Sequence, residues 1–222
     1  MMMPFRPSLP SLILMACLAG PLAADDFSPA PAAPGISLDS AESQLLQAAP
    51  SLRPEALRAA LRSWEHLGSE GEIAHPILSV IDYGLPSTEK RLWVFDISSR
   101  RLLFHELVAH GRNSGDDVAV RFSNDEGSLM TSLGSFVTGS TYQGKNGYSL
   151  RLRGMEPGLN DRAEARTIVM HGAPYVNDEV SRALGRLGRS HGCPALRPEI
   201  AQSLIDTIKD QTLLYAWHPT LP

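Results

Sequence analysis

The amino-acid sequence predicts an α+β fold, mainly β: a single sheet-dominated domain with two or three short helices, preceded by a helical N-terminal extension. Three observations lead there. From Ile77 onward the apolar residues fall into short runs rich in β-branched and aromatic side chains, the pattern of strands. Between Leu38 and Leu67 they recur instead at helical spacing. A chain of 222 residues, 43% hydrophobic and 20% charged, is globular in composition and long enough for one sizeable core, not for a second large domain. Charge narrows function as well. Twenty Lys and Arg against 24 Asp and Glu leave a formal charge of -4, so no global positive field exists to hold a nucleic-acid backbone, and no nucleic-acid partner is expected.

Residues 1–24 read as a signal peptide. Arg6 supplies a sparse positive charge, Leu12 to Leu18 is continuously apolar, and Pro21-Leu22-Ala23-Ala24 places small residues ahead of Asp25, so cleavage is expected after Ala24 and the protein is expected to be periplasmic or secreted. Pro4, Pro7, Pro10 and Pro21 argue against a helix of the mature fold there. The alternative is a lipoprotein processing site at Leu14-Met15-Ala16-Cys17, disfavoured because the apolar segment before Cys17 is short and the residues after it stay apolar. The apolar run falls short of the roughly 20 residues a membrane helix needs, and no later run is longer, so no spanning segment is expected. Residues 25–37, with Pro29, Pro31 and Pro34 among alanines, form a Pro/Ala-rich linker.

The helical extension covers residues 38–68. Ala41, Leu45, Leu46 and Ala49 make one stripe; Leu57, Ala60, Leu61, Trp64 and Leu67 make a second after Pro54, with Trp64 as a packing anchor. Seven strands follow, at Ile77–Tyr83, Arg91–Ile97, Leu102–Ala109, Leu133–Thr138, Ser149–Arg153, Thr167–Met170 and Thr212–Trp217. Asn146-Gly147 suits a tight hairpin turn before the alternating Ser149–Arg153 strand. Two helices interrupt the later strands. Asp178–Leu187 carries Val180, Ala183, Leu184 and Leu187 on one face, and Pro198 opens a helix striped by Ile200, Ala201, Leu204, Ile205 and Ile208.

Once the leader is removed, one thiol remains, Cys193. A lone thiol in an oxidising compartment is a liability unless it is used or buried inert. Its setting, Arg189-Ser190-His191-Gly192-Cys193-Pro194, is a bent segment ill suited to a regular ladder, which favours use. Upstream, the apolar run Thr167–Met170 ends in His171-Gly172, which brings a second imidazole to the rim of the sheet. A Cys/His pair suffices for nucleophilic catalysis: free cysteine titrates near ~8.5, and a nearby imidazolium lowers that until the thiolate attacks acyl carbon at neutral pH.

Strand-His171-Gly172 followed, after an intervening segment, by Ser190-His191-Gly192-Cys193 resembles the active-site signature of the YkuD-type L,D-transpeptidases. Ile81-Asp82-Tyr83, Glu89-Lys90-Arg91-Leu92-Trp93, the run Phe104–Gly111 and the run Thr141–Gly147 resemble the branch called murein L,D-transpeptidase catalytic domain proteins. The resemblance covers residues 74–218 and leaves the N-terminal helices outside. It implies a YkuD-like catalytic domain in which Cys193 is the nucleophile, His171 its base, the Gly172 carbonyl the orienter of the imidazole, and His191 with Gly192 the shapers of an oxyanion hole. One departure stands out: Pro194-Ala195 replaces the aliphatic residue and Arg that usually follow the cysteine in the wider family. Pro194 offers no N–H, so an oxyanion donor must come from Cys193, Gly192 or a side chain, and the guanidinium must come from elsewhere.

Arg189 and Arg197 flank the thiol and are candidates to bind substrate carboxylates, Tyr142 is a candidate substrate wall, and Ser190 completes the substrate-binding set. Arg182 and Arg186 read equally well as a solvated face. The implied activity is an exported cysteine acyltransferase working on peptidoglycan stem peptides, as donor and as acceptor, through a thioester on Cys193. Water as acceptor would make it an L,D-carboxypeptidase. Two rivals from other classes are a zinc hydrolase using His171, His191 and Cys193, which lacks any anchoring His-x-x-x-His or Cys-x-x-Cys, and a non-catalytic wall-binding module, which leaves the thiol without purpose. Neither a cofactor nor a metal is expected. His110-Gly111, at a strand end, is the other imidazole whose placement invites inspection.

Overall fold

The computed structural model describes residues 38–221; the expected signal peptide with Cys17, and the linker 25–37, lie outside the described residues. Two helices come first, α1 (Leu38–Ala48) and α2 (Pro54–Ser69), the second opened by a proline whose missing N–H costs nothing in a first turn. Then follow β1 (Ile77–Asp82), β2 (Leu92–Asp96), β3 (Arg101–Glu106), β4 (Gly134–Gly144), β5 (Gly147–Gly154), β6 (Val169–Gly172), α3 (Asp178–Leu184), β7 (Ala195–Leu196), α4 (Pro198–Ile208) and β8 (Leu213–Trp217). Among the described residues no helix is long and apolar enough to cross a membrane.

The strands form one sheet in the order β3-β2-β1-β8-β4-β5-β6-β7, antiparallel except for the β1–β8 and β6–β7 pairs. Past the end of β3, Ala109 bridges Ala195 of β7, its N–H donating to the Ala195 carbonyl at 2.9 Å, so the two edges of the sheet meet and the sheet nearly closes. Covering an edge in this way removes an exposed row of backbone donors.

Side chains alternate across the sheet and feed two cores. Leu78, Val80, Trp93, Phe95, Leu213 and Tyr215 lie with Leu45, Leu57 and Leu61 of the N-terminal helices. Ile81, Val94, Phe136, Leu150 and Leu214 lie with Leu204, Ile205 and Ile208 of α4, in the cluster that includes Cys193. Strands β1 and β8 are therefore buried on both faces, which is why they read as continuous apolar runs.

Several boundaries differ from those the pattern predicts, each for an identifiable reason. Among the described residues there are eight strands rather than seven, because the two-residue β7 is too short to leave a period. β3 stops at Glu106; Leu107–Ala109 is apolar because it is buried, after the chain has left β2 for the closing bridge. β4 runs on to Gly144 through an irregularity between Thr138 and Thr141, where Gly139 and Ser140 look like a stop and make a bulge. Accordingly the hairpin turns on Lys145-Asn146, and Gly147, at φ 75, opens β5. β6 begins at Val169 because Thr167 takes a left-handed φ of 55. α3 ends at Leu184 on the left-handed cap Gly185 and buries none of its residues; Leu187 is buried, but in a separate cluster beyond the helix. The expected stripe through Val180, Ala183 and Leu184 therefore meets no core.

Candidate active site

Residues of the β4–β5 hairpin, the segment through β6 and the loop before β7 line a cavity of about 530 Å³. Cys193, 8% exposed, His171, Gly172, Ser190, His191, Arg189 and Tyr142 all line it. Arg197 does not: it ion-pairs with Glu106 at 2.6 Å and lines a separate depression beside α3. Gly192 lies on the far side of the loop, in a small void shared with Pro194, and holds φ 123. A Cβ there would stand 2.7 Å from the Met130 carbonyl oxygen and 2.8 Å from Ile168 Cδ1, so only glycine fits both the backbone and the space.

Parallel pairing of His171 with Ala195 sets the imidazole on the strand beside the one that follows the Cys193 loop. His171 Nδ1 lies 2.9 Å from the Gly172 carbonyl oxygen, to which it donates, leaving Nε2 as the acceptor. Burial holds its pKa below the usual histidine value, opposed by that hydrogen bond. His191, by contrast, is exposed at the cavity mouth.

The Cys193 thiol donates weakly to the Thr167 carbonyl, 3.8 Å away. Burial pushes its pKa up; the Val169 amide, the Arg166 guanidinium, its own amide and Lys145 pull in the other direction. Burial thus acts against the charged form of each group, raising the thiol and lowering the imidazole.

The loop 190–193 is braced from within. Ser190 Oγ donates to the Cys193 carbonyl at 2.6 Å and accepts from the Gly192 amide at 3.0 Å, so this hydroxyl supports the loop rather than reaching into the cavity. It also engages the Gly192 amide, which leaves the Cys193 amide as the loop's backbone donor to the sulfur, alongside the Val169 amide of β6. Arg189 donates to the Gly115 carbonyl at 2.8 Å and to Asp116 at 2.9 Å. The same Gly115 carbonyl faces Nε2 of buried His110 at 3.4 Å, and His110 Nδ1 accepts from buried Arg91 at 2.8 Å.

Lining residues that sequence reasoning missed include Lys145, Arg166 and Tyr175. Lys145 sits in the hairpin turn, and the Gly-rich turn signal pointed at geometry rather than at a cation. Tyr175 packs on Gly188, and its hydroxyl pKa is pushed up to about 12 by burial and by negative charge on Cys193. Arg166 lies in a charged stretch with no periodicity, so no pattern could single it out. Lys145 and Arg166 give the cavity positive charge, Arg189 being paired with Asp116, and among the described residues no Asp or Glu lines it. Among the described residues no three or more His, Cys, Asp or Glu side chains are grouped to hold a metal, so His171, His191 and Cys193 do not form a ligand set.

The family described as the L,D-transpeptidase catalytic domain matches residues 48–217. This chain belongs to that family. The match takes in α2, which the motif resemblance left outside, because α2 contributes core residues rather than motifs. An L,D-transpeptidase domain of this kind is a peptidoglycan-modifying enzyme domain, and its substrates are peptidoglycan. Similar solved structures include an L,D-transpeptidase from Mycobacterium smegmatis, 14% identical, TM-score 0.38, covering 65% of this chain and 68% of that one. Another is the helical cell shape determining protein Pgp2 from Campylobacter jejuni, 16% identical, TM-score 0.39, covering 64% and 44%. A third is an L,D-transpeptidase from Mycobacterium tuberculosis H37Rv, 15% identical, TM-score 0.36, covering 65% and 66%. No curated protein sequence matches the chain.

Proposed function

We propose that the protein is an exported cysteine acyltransferase that acts on peptidoglycan stem peptides through a thioester on Cys193. The observation that carries the reading is the meeting of Cys193 and His171 on one cationic cavity free of carboxylates. In the first half-reaction His171 Nε2 takes the thiol proton as sulfur attacks the carbonyl between the diamino acid and the following D-alanine. The Cys193 amide faces the oxyanion that forms. Collapse breaks the C–N bond, His171 returns the proton to the leaving amine, and D-alanine departs. In the second half-reaction an amine of a neighbouring stem attacks the thioester, His171 removes its proton, and the thiol is restored. Lys145, exposed on the β4–β5 turn, suits a carboxylate of such peptides.

Water in place of the amine would release a shortened stem and make the enzyme an L,D-carboxypeptidase. One assay reads both acceptors: incubation of the purified protein with disaccharide-tetrapeptide and mass analysis of the products. A dimer that has lost one D-alanine supports transfer, and a tripeptide supports hydrolysis. Unchanged tetrapeptide with well-folded protein would refute the reading. Export rests on the apolar run Leu12–Leu18 and the small residues before Asp25. N-terminal sequencing of the cell-derived protein tests it, with Asp25 expected first and an acylated Cys17 the mark of the lipoprotein alternative.

A further inference from the structure

We propose that Arg166 is a positioning residue for Cys193: an immobilised, unpaired cation against which negative charge on the sulfur develops. The proposal rests on Cys193 being the nucleophile. Three arginines surround the nucleophile loop, and two of them are already neutralised, Arg189 by Asp116 at 2.9 Å and Arg197 by Glu106 at 2.6 Å. Arg166 is different. Its guanidinium donates to the Ser123 carbonyl at 2.7 Å, to Ser132 Oγ, to Ser128 Oγ at 3.1 Å and to the Met130 carbonyl at 2.6 Å. All four acceptors are neutral, so the group is fixed in place with no carboxylate in ion-pair contact; Asp125, on the same loop, acts on it only from a distance and pairs with Arg162 instead.

The place is next to the nucleophile. Arg166 Nη2 lies 3.3 Å from the position a Cβ on Gly192 would take, one residue from Cys193, and both Arg166 and Cys193 line the cavity. Holding a half-buried guanidinium away from carboxylates costs free energy, and an anion forming beside it recovers part of that cost. Such an interaction is stronger in the transition state than in the resting thiol, which is the condition for it to accelerate chemistry. Consistently, burial lowers the Arg166 pKa and negative charge on Cys193 is the largest influence opposing that.

Other charged and titratable groups face the sulfur as well. His171 stands on β6, Lys145 on the β4–β5 turn, and the Tyr83 and Tyr175 hydroxyls are pushed up by burial and by the thiolate, while Arg189 and His191 complete the lining. Of the cations that pull the thiol down, Lys145 is exposed and screened by solvent, whereas Arg166 is half-buried and acts through a drier medium.

The test is the rate of Cys193 alkylation by iodoacetamide against pH, with peptide mapping to assign the adduct, on wild type, Arg166→Lys and Arg166→Gln, alongside thermal melts. Arg166→Gln is expected to slow alkylation at neutral pH about tenfold by moving the profile to higher pH. Arg166→Lys keeps the charge without the four-way fork, so it should melt lower yet keep the profile within about twofold of wild type. Arg166→Gln with a wild-type profile, or Arg166→Lys slowed as much as Arg166→Gln, would overturn the proposal. Should Arg166→Gln not fold, the Arg166→Lys profile decides in the same way. Turnover retained by Cys193→Ala would refute the nucleophile reading while leaving the alkylation result to judge the Arg166–thiol coupling.

Discussion

Cys193 lies at the floor of the cavity with its thiol pushed up by burial, and His171 beside it is pushed down by the same cause. A neutral imidazole is a competent base, and it loses that competence when it takes up a proton. Because the folded-state pKa of His171 lies below the ordinary 6.5, turnover should persist to more acid pH than a solvent-exposed histidine would allow, then fall. His171→Ala should move the pH profile of Cys193 alkylation upward, while His191→Ala, at the exposed mouth, should leave it unchanged. The reverse outcome would exchange their roles. Gly192 makes a separate claim. At φ 123 with the Met130 carbonyl 2.7 Å from a notional Cβ, Gly192→Ala must displace the loop, and the expected result is a drop in melting temperature together with loss of turnover at least as large as about tenfold. Wild-type kinetics in that variant would show the loop to be looser than its hydrogen bonds imply. These residues were legible in the sequence because their chemistry clusters in short motifs. Arg166, brought in by tertiary contact from an aperiodic stretch, was not.

At the scale of elements, the loop after β3 links the closing of the sheet to the cavity. His110 is 1% exposed, accepts from Arg91 and faces the Gly115 carbonyl that also receives Arg189. Burial first, then the Arg91 charge, lowers its pKa to about 4. The unfolded chain takes a proton below 6.5 that the folded chain refuses until about 4, so stability declines as pH falls through that window. At 1.36 kcal/mol per unit the decline is about 3 kcal/mol in all. Urea unfolding at pH 7 and pH 5 should therefore show wild type losing more stability than His110→Gln, which keeps a donor and an acceptor but does not titrate. Parallel losses would contradict the assignment. Element existence was readable from periodicity throughout, whereas element ends were not. β4 passes through Gly139-Ser140 as a bulge, β6 is delayed by the left-handed Thr167, and α3 is cut at Gly185 with its apolar residues unburied. Each of these is decided by a local backbone conformation or a packing partner that a periodic pattern does not encode.

The whole molecule places a double-faced sheet between two helical covers, with α1 and α2 on one side and α4 on the other, and turns its edges together through Ala109 and Ala195. Parallel pairing of β6 with β7 brings His171 and Cys193 to one cavity. The short apolar runs rich in β-branched and aromatic residues foretold a mainly β body. They did not foretell that the edges meet, because a single bridge between distant residues leaves no local trace. The central claim is that chemistry passes through a covalent bond to Cys193. The most direct measurement is intact-mass spectrometry of the protein quenched during reaction with disaccharide-tetrapeptide, with Cys193→Ala run in parallel. The account predicts a transient adduct equal to the donor less D-alanine, mapped to Cys193 and absent from Cys193→Ala, which should fold normally and not turn over. Product formation by folded Cys193→Ala, or an adduct of the same mass on that variant, would contradict it.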